Sequence, residues 1–97
     1  MAGERQDDLL DLDFAFDWSD KIIYKLWEKH KVFPWEVEEA IFDDPHVEIR
    51  YHYDEAHGGR RLARGRTKEG RRLRIYMKPC KDRKGLWFVI TAWGEGE

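Results

Sequence analysis

From residue 46 onward, apolar and polar positions alternate. In "HVEIRYHY" (46–53), Val47, Ile49, Tyr51 and Tyr53 are apolar or aromatic, and His46, Glu48, Arg50 and His52 are polar. That period of two is the mark of a half-buried strand. "RRLRIYMK" (71–78) repeats it, with Leu73, Ile75 and Met77 against Arg72, Arg74 and Tyr76. "RRLARGRT" (60–67) alternates weakly, and "LWFVITAW" (86–93) is apolar on both faces, as a central strand should be. "DEAHGG", "KEG" and "PCKDRKG" are the turns and loop between them.

Before residue 46 the period is different. "LDFAFDW" (12–18) places Leu12, Phe14, Phe16 and Trp18 on one side and predicts a short strand. Ser19 stands at a helix N-cap with Asp20 in the first turn. Ile23, Leu26, Trp27 and His30 follow on one helical face, and Lys29, His30 and Lys31 close the helix. A second helix starts at Pro34, with Glu36, Glu38 and Glu39 early in it. Val37, Ala40 and Ile41 form its apolar stripe, and Phe33 is placed to staple onto Val37. "DDP" (43–45) ends it, because the residue before a proline is pushed out of the helical region.

The order is therefore β-α-α-β-β-β-β. It predicts an α+β fold, with two N-terminal helices packed on one face of a small twisted antiparallel sheet. The expected core is Ile23, Leu26, Val37, Ile41, Ile49, Leu73, Ile75 and Ile90. The uncovered face should show Arg50, Arg72, Arg74, Tyr76, Trp87 and Trp93. Residues 1–11 read as a flexible tail, and 12–97 as one domain.

Composition supports a folded domain. The 97 residues are 41% hydrophobic and include five Trp, five Phe and four Tyr, whereas disordered chains are poor in aromatics. No apolar run approaches the roughly 20 residues of a membrane span, and "MAGERQDDLL" lacks the apolar stretch of a signal peptide. Cys80 is the single cysteine, so no intramolecular disulfide can form. A cytoplasmic protein without membrane association is expected, with Cys80 a bystander thiol.

Charge changes the picture more. The net charge is −2, yet residues 1–56 carry 16 acidic and 6 basic residues, and residues 57–84 carry 12 basic and 2 acidic ones. Either the basic stretch neutralises the acidic half within the fold, or it faces an anionic partner. Alternation puts arginines and aromatic rings on the same uncovered face. Guanidinium groups fork onto phosphate, and rings stack on unpaired bases. Single-stranded RNA suits such a face better than duplex DNA, for which no recognition helix is present. Arg60, Arg61, Arg64, Arg66 and Arg71 belong to the same basic cluster as Arg72 and Arg74. The equally simple alternative is that these arginines pair with Glu48 and the helix glutamates.

His46 and His52 share a strand face but lie about 20 Å apart, too far to hold one metal. His52 and His57 can meet only across a hairpin, and two histidines alone make a poor site. No metal or cofactor is expected. Neither a nucleotide-binding glycine loop nor a nucleophile elbow is present.

Four stretches, taken in order, resemble the BrnT family of bacterial toxins, ribonucleases of toxin–antitoxin systems. They are "FDWSDKIIYKLWEKHKV", "WEVEEAIFDDP", "GRTKEGRRLRI" and "VITA", and together they span about residues 14–93. The family patterns are F-x-W-D followed by a helix ending in K-H-x-V, then G-R-[ST]-x-x-G-R-x-L, then I-[IS]-A-R. Trp93 stands where the family has its last arginine, and Lys31 where a glycine usually follows the histidine. The sequence closes on "GEGE" rather than on the family's C-terminal helix.

The resemblance implies a RelE-like fold, metal-independent cleavage of single-stranded RNA, and a cognate antitoxin as partner. A homo-oligomer is a further possibility. His30, in the K-H motif, is the candidate acid or base. Arg66 and Arg71, in the G-R motifs, are candidate phosphate binders, and Thr67 pins the turn. Tyr76 joins the catalytic set by its face. Arg50, Arg64, Arg72, Arg74, Trp87 and Trp93 are the candidate RNA-binding residues. The alternative is a toxin-fold protein without activity that binds RNA or a protein partner.

Overall fold

The structure, a computed structural model, describes residues 14–56 and 58–97. Strand β1 (Ala15–Phe16) leads to helix α1 (Asp20–His30) and helix α2 (Pro34–Glu38), which runs on into a π-helical turn at Glu39–Asp43. Four strands follow: β2 (Glu48–Asp54), β3 (Gly58–Arg66), β4 (Arg72–Pro79) and β5 (Leu86–Gly94). They form one five-stranded sheet in the order β1-β5-β4-β3-β2. The predicted element order and α+β class hold. The tail 1–11 and Leu12 of the first predicted strand lie outside the described residues.

The sheet is mixed, not antiparallel as expected. β2 to β5 form antiparallel ladders, but β1 pairs parallel with β5 through Ala15–Leu86 and Phe16–Trp87. Two helices separate β1 from the other strands, and such a crossover permits parallel return. Alternation within a segment carries no information about direction. No helix among the described residues is long and apolar enough to cross a membrane.

The covered face is set by register. Ile49, Ala63, Ile75 and Ala92 stand side by side across four strands, with Leu73 and Met77 on either side in β4. Ile49 is 6% exposed and the others 1% or less. From the helices come Leu26, Val37, Ala40 and Ile41, all fully buried, with Ile22 packed beside them.

Two expected core residues are displaced. Ile23 is only half-buried, because α1 turns Ile22 and Leu26 toward the sheet and leaves Trp27 40% exposed. Trp27 instead stacks on Phe33 at 4.5 Å, and Phe33 on Trp35 at 5.8 Å. Phe33 thus joins an outer aromatic ridge rather than the core. Ile90 leaves the core for another reason: Tyr76 pairs with Thr91, but Met77 pairs with Val89. Ile90 is the extra residue of a β-bulge, which shifts the phase of the strand by one. Ala92 faces the helices on one side of the bulge, and Val89 and Trp87 do so on the other.

Two local features tie helices to strands. The π turn lies directly on β3, where a Cβ at Gly65 would collide with the Ala40 carbonyl oxygen. Glycine is therefore required at that position. Asp44 then accepts from the Arg66 N–H at 2.9 Å, and Glu39 from the Lys68 N–H at 3.0 Å.

The other feature is the end of α1. Ser19 caps its start, accepting from the Ile22 N–H at 3.2 Å. At its far end Lys31 takes a left-handed conformation, φ 54°. The Lys31 N–H donates to the Trp27 carbonyl at 3.0 Å, the 5→1 bond of an αL C-cap, and the Val32 N–H donates to the Leu26 carbonyl at 3.3 Å. Left-handed backbone costs a residue with a Cβ about 1–2 kcal/mol. Lys31→Gly should therefore stabilise the protein, by about 0.5–1 kcal/mol after the loss of the Lys31 ammonium over Trp27. An upward shift of the urea midpoint at constant slope would register it.

Candidate nucleic-acid interface

The face of the sheet turned away from the helices is built by the residues between the core positions. The ladders run Arg66–Arg72, then Glu48–Arg64–Arg74–Trp93, then Arg50–Leu62–Tyr76–Thr91, then His52–Arg60. Arg50, Arg64, Arg66, Arg72 and Arg74 therefore share one face, as the alternation predicts.

Rings run across it in a row. His52 and Tyr76 lie 5.6 Å apart, Tyr76 and Trp93 5.8 Å, and Trp93 and His30 6.4 Å, centre to centre. The Arg60 guanidinium lies 4.2 Å over Tyr76. His30 belongs to the helical layer and reaches this row because β1 covers only the start of the outer edge of β5. Farther along, the last turn of α1 lies beside Trp93. His30, Trp93, Gly94 and Glu97 there line a groove of about 500 Å³ together with Lys29 and Lys31.

The carboxylate of Glu95 sits among the arginines. It accepts from Arg64 Nη2 at 2.8 Å, with Arg74 Nε at 3.2 Å. Loss of hydration works to raise its pKa, but the hydrogen bond and charge of Arg64, then the charge of Arg74, outweigh this and hold it below the usual carboxylate range. Arg64, Arg66 and Arg72 also line a groove of about 390 Å³, opposite Asp44, Glu48 and Glu95.

Two predicted site residues are elsewhere. Trp87 is on the helix side, stacked on Phe14 at 4.8 Å, because the bulge at Ile90 reverses the facing of β5. Arg71 is turned inward. Its Nη1 donates to Glu36 at 3.0 and 3.2 Å and to the Lys31 carbonyl at 2.9 Å. Its Nη2 donates to Glu97 at 2.8 Å and to the His30 carbonyl at 3.3 Å, and Nε to Glu97 at 2.9 Å. The Glu97 hydrogen bond, and then Glu36, raise its pKa against the cost of burial. All three nitrogens are committed within the protein.

The G-R-T-x-x-G-R stretch thus has a structural task at most of its positions. Gly65 admits the π turn, the Thr67 hydroxyl accepts from the Arg71 N–H at 3.1 Å, and Arg71 clamps α1. Arg66 alone keeps an exposed side chain on the open face.

His52 is a site member that sequence reasoning did not place there, whereas Arg60 belongs to the basic cluster read from the sequence. His52 alternates with Arg50, which was a usable signal, but it drew attention only as a metal ligand. Arg61, next to Arg60, faces the other way, over Tyr51 at 4.8 Å and Trp87 at 5.9 Å. Among the described residues, no group of three or more His, Cys, Asp or Glu is placed to hold a metal ion. His57 lies outside them.

A stacked ring contributes about 1–3 kcal/mol per base to single-strand binding. If RNA lies along this row, Trp93→Ala should weaken it about 5- to 150-fold with little change in salt dependence. Fluorescence titration at several salt concentrations measures both. Trp87→Ala should leave affinity unchanged and lower stability instead.

In comparisons with known proteins, no family model matches the chain and no characterised protein is significantly similar to it.

Proposed function

We propose that the open face binds single-stranded RNA and that the protein is a metal-independent ribonuclease resembling the BrnT toxins, with their RelE-like fold. The observation that carries this reading is the row His30–Trp93–Tyr76–His52 bordered by arginines. Stacking of successive bases along the row would leave the backbone beside Arg50, Arg64, Arg72 and Arg74.

Cleavage needs a base for the 2′-hydroxyl proton, a charge for the phosphorane and an acid for the leaving 5′-oxygen. The 2′-oxygen bonds to phosphorus as the P–O5′ bond breaks, giving a cyclic phosphate and a 5′-hydroxyl. A nucleotide stacked on Trp93 would lie near the His30 and Tyr76 rings, whose centres are 6.4 and 5.8 Å from that of Trp93, so the imidazole and the phenol hydroxyl are the candidate base and acid. Arg74 stands directly across from Trp93, and Arg66 lies in the next ladder along the face. A cognate antitoxin would cover this face with acidic or apolar groups.

One observation favours a second reading, an RNA-binding protein without cleavage. Arg71, a phosphate binder in the expectation drawn from the resemblance, has its donors committed to Glu36, Glu97 and helix carbonyls.

Expression in a bacterial host with total RNA analysis tests both. Growth arrest with fragmented RNA supports the ribonuclease. RNA binding with a steep salt dependence, about 0.7 per phosphate contact, but without fragments supports the second. No binding even at low salt would sink both readings and leave the arginines as counter-charges to the acidic half.

A further inference from the structure

The two charge ladders at one end of the open face are unusual in composition. Arg64 stands directly across from Arg74, and Arg66 directly across from Arg72. Like charges directly opposite in an antiparallel pair repel each other. Four arginines in two adjacent ladders therefore form a block that requires an anion. Among the described residues, no carboxylate makes an ion pair with Arg66 or Arg72, and a single one, Glu95, serves both Arg64 and Arg74.

Glu95 belongs to the turn after β5. Its N–H donates to the Arg72 carbonyl at 2.8 Å, so its backbone extends the ladder and the side chain lies over the block. The pair is not sealed: the side chains of Arg64, Arg74 and Glu95 are 45%, 38% and 26% exposed. An exposed ion pair of this kind holds weakly. A phosphodiester offers the same pair of oxygens to a guanidinium fork.

Resting on the RNA-binding reading above, we infer that Arg64 and Arg74 form a phosphodiester site that Glu95 occupies in the free protein, and that RNA binds there by displacing this carboxylate. Glu95 is thus an internal competitor that lowers affinity for RNA at this end of the face. Asp44 and Glu48, which line the adjoining groove, do not compete in this way. Asp44 is held by the N–H groups of His46 and Arg66, and Glu48 opposes Arg64 from β2 without entering the Arg64–Arg74 pair.

The test compares wild type, Glu95→Gln and Glu28→Gln, each titrated with an oligouridylate over a range of salt. Glu28 is an exposed residue of α1, and its variant makes the same change in net charge away from the block. Glu95→Gln should bind about 5-fold tighter at low salt, with a salt slope close to wild type because the same phosphate is contacted in both. Glu28→Gln should bind like wild type.

A second readout needs no variant. In wild type, the carboxyl carbon resonance of Glu95 should titrate at higher pH when RNA is bound, since displacement removes Arg64 and Arg74 from it. The inference is overturned if wild type binds RNA but Glu95→Gln gains nothing, or no more than Glu28→Gln, with the Glu95 titration unmoved. Those results leave the RNA-binding reading standing. Absence of binding by all three proteins overturns the inference and the reading together.

Discussion

His30→Ala is expected to slow RNA cleavage by roughly 100- to 10,000-fold, the usual worth of a general acid or base. RNA affinity should change far less, because Trp93, Tyr76, His52 and the arginines stay in place. The imidazole is the only side chain of the ring row supplied by a helix, and it lies at the mouth of the groove beside Trp93. The main chain of His30 has a separate task, accepting from Arg71, which alanine preserves. Fold stability should therefore be nearly unaffected. Single-turnover cleavage of an end-labelled oligonucleotide measures the rate, and added imidazole should restore part of it. Tyr76→Phe is the companion variant: it keeps the ring for stacking and removes the hydroxyl. A rate loss with unchanged affinity would assign proton transfer to Tyr76. If both variants cleave like wild type, the chemistry lies elsewhere on the face.

Arg71→Ala is expected to be the most destabilising of the arginine substitutions, by roughly 3–5 kcal/mol. Removing the guanidinium leaves Glu36, a residue only 8% exposed, without its countercharge. It also strips the His30 and Lys31 carbonyls at the end of α1 of their donor. In a domain of this size such a loss lowers the melting temperature by about 15 °C or more. Arg71→Lys should recover little, since one ammonium cannot span acceptors on α1, Glu36 and Glu97. RNA affinity measured well below the transition should stay near wild type. A fall in affinity and salt slope without loss of stability would instead restore Arg71 to the phosphate-binding set.

The sheet and the identity of its open face were largely legible. Leu73, Ile75 and Met77 alternate so regularly with Arg72, Arg74 and Tyr76 that burial of one set exposes the other. The Ser19 cap and the Pro34 start were legible because each depends on neighbours in sequence. Three things were not. The direction of β1 leaves no trace in "FAF". The bulge at Ile90 hides in a stretch apolar on both faces, where a one-residue slip exchanges one hydrophobic residue for another. The partners of Arg71 lie 35 and 26 residues away, so a stretch rich in arginine did not reveal which arginine turns inward. The ring row was half legible, since His30 joins it across the edge of β5 rather than along a strand.

The bulge also divides β5 into two parts whose side chains meet different physical demands. In an unbroken strand, positions 87 and 93 would have the same facing, and a change of ring at one end would have to be tolerated in the same environment as the other. With Ile90 inserted between them, Trp87 must fit against Phe14, while Trp93 stands on the open face beside Tyr76. A substitution at Trp93 can therefore change the open face without disturbing the interior. Deletion of Ile90 would revoke that freedom, turning the two positions to the same face.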